Sequence, residues 1–156
     1  MDKTGLAYLR ASASMPFVSR ISDINGQKYL DGGICDSIPL KAFQKMGYER
    51  CVVVQTRASG YQKKPNKLAW LARFVYHKYP KFAAAVRNRH IMYNNELDFI
   101  EKAREKGNTF VIRPSRNIKI SHTEKNKKVL QNVYDLGRED ALRQLNLLRN
   151  FLENGE

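Results

Sequence analysis

The run CVVVQT at residues 51–56 constrains the fold more than any other part of this chain. It is short, β-branched and apolar on both faces, which predicts a strand buried inside a parallel sheet; a strand with one wet face would alternate. TFVIRPS at 109–115 is another buried-strand candidate, with a shorter one at 118–120. Elsewhere the period is different. Residues 4–14 carry Leu6, Leu9 and Ala13 at near-helical spacing, and Pro16 forbids continuation. Residues 18–24 alternate, Asn25-Gly26 is a strong two-residue hairpin signal, and 28–30 return as the partner strand. Pro39 suits the first turn of a helix reaching Met46, with Gly47 as its stop.

Residues 57–66 turn to Gly, Lys, Gln and Pro, which reads as a surface loop and a boundary between residues 1–60 and a basic, mainly helical tail, 61–156. In that tail Leu68, Leu71, Phe74 and Val75 predict one helix. Phe82, Val86, Tyr93, Leu97 and Ile100 predict a longer one ending at Gly107. Two helices separated by Gly137 close the chain, the latter with Leu142, Leu145, Leu148 and Leu152 on its inner side. The expected fold class is α/β with a helical tail.

The 156 residues suit one domain, and a 42% hydrophobic fraction beside 28% charged residues excludes disorder throughout. Twenty-eight Lys and Arg against fifteen Asp and Glu leave a net charge of +13, a field that attracts nucleic acid or anionic lipid headgroups. No apolar run approaches the roughly 18 residues of a membrane span, and MDKTGLAYLRAS has no signal-peptide core, so a cytoplasmic location is expected. Cys35 and Cys51 read as reduced, buried thiols. With His77, His90 and His122 they match no zinc spacing, so neither a metal nor a cofactor is expected. His77 and His90 read as members of basic helix faces.

YLDGG at 29–33 poses the chemical question. An aspartate before two glycines can be an ordinary turn. It can equally be a carboxylate held at a strand end, where Gly32 and Gly33 leave room for another chain segment or a substrate. Ser12 and Ser14 lie at a helix end, where serine satisfies backbone groups, and Ser37 reads as a neighbour of the next helix's N-cap.

The order ASASMPF, hairpin, YLDGG, Pro39, short helix and CVVVQT resembles the C-terminal part of the catalytic domain of patatin-like phospholipases, three-layer α/β/α acyl hydrolases. RHIMYNNELDFI from Arg89, FVIRPS from Phe110 and YDLGREDA from Tyr134 resemble the tail of a cytoplasmic bacterial subfamily. The resemblance implies a Ser–Asp dyad acting on lipid or other carboxylic esters: a serine in a Gly-x-Ser-x-Gly elbow attacks the carbonyl, and the Asp of Asp-Gly-Gly is its general base. Only Asp31 matches a catalytic position, with Gly32, Gly33 and Pro39 as supporting positions. Ser37 stands where many relatives have asparagine. No pair of glycines in the chain brackets a serine as Gly-x-Ser-x-Gly, and no glycine-rich oxyanion loop is found. The expectation is therefore a fragment that supplies the Asp base but not the Ser nucleophile, inactive alone, and inclined to self-associate or to pair with an N-terminal half carrying the elbow.

The segment 61–90 offers a rival. Lys63, Lys64, Lys67, Arg73, Lys78, Lys81, Arg87 and Arg89 are interleaved with Trp70, Phe74, Tyr76, Tyr79 and Phe82, the mixture found in membrane-surface and nucleic-acid binders. Helical spacing turns most of these aromatics inward, and no nucleic-acid-binding signature accompanies the charge, which favours anionic lipid over nucleic acid. A stand-alone basic binding module, possessing salt-dependent affinity, is the alternative to the hydrolase fragment. An intact small esterase would instead show one serine labelled by a fluorophosphonate probe.

Overall fold

Asn25 and Gly26 turn the chain as their sequence requires. The computed structural model, which describes residues 3–121 and 123–153, places Asn25 at φ 52° and Gly26 at φ 77°, the two positive values of a type I′ turn. β1 (Ser22–Ile24) and β2 (Gln27–Tyr29) pair antiparallel around it, Ser22 opposite Tyr29 and Ile24 opposite Gln27. The first strand is shorter than the alternation over 18–24 predicts. Phe17 takes φ 68°, uncommon for a bulky side chain, and the Val18 and Ser19 amides bond back to the Met15 carbonyl, so the chain turns there. The Phe17 N–H donates to the Tyr76 hydroxyl at 2.9 Å and the two rings pack 5.5 Å apart, which holds the turn.

These elements belong to the first of two compact units, drawn from residues 1–39 and 63–97; the second is drawn from 40–62 and 98–156. In the first, α1 (Lys3–Ser12) precedes the hairpin. Ile34, Ala72, Tyr76, Ala83 and Val86 form its core, with Ile21, Leu30 and Phe82 packed against them. Residues 69–75 are a 3-10 turn (Ala69–Leu71) running into the four-residue α3 (Ala72–Val75). Their inner stripe is Ala69, Ala72 and, just beyond, Tyr76; Leu68, Phe74 and Val75, expected to face inward, are exposed. Both stripes have helical spacing. The Tyr76 ring decides between them, because it meets Phe82 at 4.9 Å and Phe17 on its other contact.

α4 (Pro80–Glu105) runs for 26 residues. Pro80 occupies its first position, where a missing N–H costs nothing, and Gly107 at φ 78° closes it. Its residues through Leu97 belong to the first unit and the remainder to the second.

In the second unit α2 (Leu40–Lys45) starts directly after Pro39 and ends at Gly47, which takes φ 96°. β3 (Cys51–Val54) pairs in parallel with β4 (Thr109–Ile112), Cys51 opposite Thr109 and Val54 opposite Ile112. The parallel pairing is as expected, but burial on both faces is not. Val53 and Val111 are buried while Val52 is 40% and Val54 70% exposed; on that face Phe151 packs on Phe110, the partner of Val52, at 5.7 Å between ring centroids and leaves the two valines open. Residues 118–120 form no strand and lie in a loop with no strand alongside them. α5 (Lys127–Arg143) is capped by the Asn126 side chain, which accepts the Lys128 and Val129 N–H groups. The helix passes straight through Gly137 and breaks at Gln144, before α6 (Leu145–Glu153). One glycine costs a helix only about 1 kcal/mol, and buried Asp140, whose Oδ2 accepts the Ser115 N–H at 2.8 Å, fixes the helix just beyond it. Leu145 and Leu148 are partly covered, but Leu142 and Leu152 are exposed, so the expected inner stripe is only half buried.

Helices and small sheets thus mix along the chain, each sheet having two strands. No helix among the described residues is long and apolar enough to cross a membrane. The cysteines are not buried: Cys35 is exposed beside the 3-10 turn that precedes it, and Cys51 is partly exposed at the start of β3.

Candidate functional site

Asp31 does not end a strand; it caps a turn. Its N–H donates to the Ser14 carbonyl at 2.9 Å, tying it to the end of the first helical segment. Gly32, Gly33 and Ile34 form one turn of 3-10 helix with Asp31 as N-cap, and the Asp31 Oδ1 accepts the Gly33 N–H at 2.8 Å. An aspartate side chain reaching an amide two residues on is the usual way this residue starts a turn. Oδ2 makes no hydrogen bond among the described residues, and the residue is half-buried. One oxygen is therefore held by the backbone, and the other has no hydrogen-bond partner among the described residues.

Gly33 is where the backbone must come close. A Cβ built there lies 3.1 Å from Asp31 Oδ1 and 3.6 Å from Arg89 Nη2, so a side chain would press on the carboxylate. At Gly32 the nearest atom to such a Cβ is Ser12 Oγ at 3.8 Å, an ordinary contact. The Gly33 carbonyl accepts two bonds, from Ser37 Oγ at 2.6 Å and from Arg89 Nε at 2.8 Å. The peptide groups on both sides of Gly33 are thereby pinned, one by Asp31 and one by Ser37 and Arg89.

Four residues beyond Gly33 the loop is gripped again. Glu96 is 9% exposed, and its two carboxylate oxygens accept the Ser37 and Ile38 N–H groups, each at 3.1 Å. Burial, reinforced by a hydrogen bond to the Asp36 carboxylate, pushes the Glu96 carboxyl up to about 7, against the opposing pull of the two amides. Pro39 follows this clamp into α2.

Sequence reasoning named Asp31, Gly32, Gly33 and Pro39; it did not name Arg89 and Glu96 as partners of their loop. A signal was present. Residues 82, 86, 89, 93, 96, 100 and 103 form one stripe of α4 at alternating spacings of four and three, and Arg89 and Glu96 are its two charged interruptions. A charge in an apolar stripe needs partners, and here they are backbone groups of the Asp31–Pro39 loop. Ser37 is more than a cap neighbour, since its hydroxyl closes the 3-10 turn, while Ser14 Oγ bonds the Arg10 carbonyl as expected of a helix-end serine. His77 is exposed, its Nδ1 at 3.0 Å from the Phe74 carbonyl; His90 is half-buried with an unpartnered Nδ1; His122 lies outside the described residues.

Residues 3–43 match the family model for patatin-like phospholipase. A second model, for a domain of unknown function (DUF6363), matches residues 79–153. The uncharacterized protein YjjU of Escherichia coli K12 is 29% identical over 135 residues, which is 85% of this chain and 38% of that protein. The chain therefore spans well under half the length of this relative. No solved structure matches the chain. The patatin-matching segment contains Asp31 and the loop to Pro39, whereas Arg89 and Glu96 come from the segment that matches DUF6363. The two matched stretches meet in the first unit through hydrogen bonds to that one loop.

Proposed function

We propose that this chain carries the base-bearing portion of a patatin-like serine acyl hydrolase acting on lipid or other carboxylic esters. Asp31 is the general base, and a serine from a Gly-x-Ser-x-Gly segment outside these 156 residues is the nucleophile. The observation that carries this reading is the Asp31 carboxylate itself, in the patatin-matching stretch, with Oδ1 held on the Gly33 amide and Oδ2 unengaged. A serine hydroxyl attacks an ester only if a base within hydrogen-bond reach takes its proton as the new bond forms. A carboxylate with one oxygen fixed presents the other in a defined direction. The open edges of the β3–β4 pair would then accept further strands from the Ser-bearing segment, and the exposed Val52 and Val54 a layer packed over that face.

The test is reconstitution. DNA upstream of the Met1 codon is searched for a frame encoding Gly-x-Ser-x-Gly, the two segments are produced together, and hydrolysis of a p-nitrophenyl ester is followed. Restored turnover that falls by about 10²–10⁴ in Asp31→Asn is expected, the usual worth of a general base. Turnover indifferent to Asp31→Asn, or fluorophosphonate labelling of a serine in the chain alone, would overturn the assignment.

A further inference from the structure

Residues 68–75 bury two alanines and leave four large apolar side chains exposed. Ala69 and Ala72 are buried, while Leu68, Trp70, Phe74 and Val75 are each more than half exposed, Trp70 at 59% and Phe74 at 64%. The Trp70 and Phe74 rings pack edge to face with centroids 6.0 Å apart, so they stand as one aromatic knob. Scattered exposed apolar residues are common, but four in eight positions make a patch of the kind that contacts something.

The charge along this stretch of chain is of one sign. Not one Asp or Glu occurs from Arg50 to Asn95, although the chain has fifteen. A merely solvated face mixes both signs. Here Lys64, Lys67, Arg73, Lys78 and Lys81 are all exposed, and none forms an ion pair among the described residues. Tryptophan and phenylalanine rimmed by lysine and arginine match a bilayer interface, where aromatic rings sit at headgroup depth and cations meet anionic lipid. Leu68 and Val75 separate this occupant from nucleic acid: aliphatic side chains offer a base or phosphate nothing, but they partition toward acyl chains.

We propose that residues 64–81 form a docking surface for an anionic lipid bilayer, with Trp70 and Phe74 inserting at the headgroup level and the flanking lysines and Arg73 held by the surface charge. This surface does not depend on the role of Asp31 and stands or falls separately from it.

Trp70 is the chain's single tryptophan, so its fluorescence reports on the patch alone. The experiment titrates the chain with phosphatidylcholine vesicles with and without phosphatidylglycerol, following emission and cosedimentation. The expected result is a blue shift and binding with the anionic vesicles only, weakening as salt rises. Leu68→Ser/Phe74→Ser, which keeps the reporter, and Lys64→Glu/Lys67→Glu should each weaken binding at least about tenfold, the size expected from losing part of one aromatic's burial or of the charge. Circular dichroism confirms folding, and all four residues are exposed. Anionic-vesicle binding with unshifted Trp70 emission, or unaffected by both variants, would overturn the proposal. So would absence of vesicle binding when single-stranded oligonucleotides quench Trp70, or when sedimentation shows the patch buried in a self-association that Phe74→Ser abolishes.

Discussion

Replacing Glu96 with glutamine removes a proton-binding site from the folded chain while keeping a side chain of the same length against the Ser37 and Ile38 amides. In the native protein burial and Asp36 push the Glu96 carboxyl up to about 7 from its ordinary 4.5. The folded state therefore holds this proton more tightly than the unfolded chain. Stability is highest below the unfolded value, falls as pH climbs from about 4.5 to about 7, and is flat above that. At 1.36 kcal/mol per pH unit the fall has an upper limit of about 3 kcal/mol. Asp36 is exposed, so water screens part of its effect, and a loss of about 1–3 kcal/mol is the working figure. Urea unfolding of the native protein and of Glu96→Gln at about pH 5 and about pH 8 measures it. Contributions from the histidines are common to both proteins and cancel in the difference. The native protein should lose about 1–3 kcal/mol relative to the variant between the two pH values, and Asp36→Asn should shrink that loss. A pH-independent difference between native protein and Glu96→Gln would refute the argument that Glu96 is protonated in the fold.

Two further substitutions test the geometry. Gly33→Ala brings a methyl to 3.1 Å from Asp31 Oδ1; thermal or urea unfolding should show a loss of about 1–2 kcal/mol, and the Gly33-position amide should lose its protection against hydrogen exchange as the Asp31 bond is pushed away. Gly137→Ala places a methyl in open space inside α5, where nothing lies within 4 Å, so the same unfolding assay should register a gain of about 0.5–1 kcal/mol.

Local signals carried the short-range structure. Asn25-Gly26 specified its hairpin, Pro80 and Gly107 bounded a long helix, and the two β-branched runs found each other in parallel register. What was hidden depended on rotation and on partners. Leu68–Val75 has two stripes of equal helical spacing, and only the tertiary contacts of the Tyr76 ring choose between them. Gly137 reads as a stop in isolation, yet Asp140 fixes the helix through a bond to Ser115, twenty-five positions away along the chain. At the site, the Asp-Gly-Gly turn was legible because its chemistry is local. Arg89 and Glu96 were not, because their partners are main-chain atoms, which leave no mark in the sequence beyond two charges on an apolar stripe. Cys35 and Cys51 fall in the same class, since a thiol looks the same in the sequence whether or not it is covered.

The interleaving of the two compact units has a consequence for how this chain leaves a ribosome. The first unit needs residues 63–97, and these emerge only after 40–62, which belong to the second. Synthesis therefore presents the Asp31 turn long before Arg89 and Glu96 arrive to clamp it, and β3 waits for β4 across more than fifty residues of intervening chain, about as long as a small domain. Closing loops of that length is slow relative to local turns. During this interval the strand edge and the Asp31 loop are open to whatever segment reaches them first.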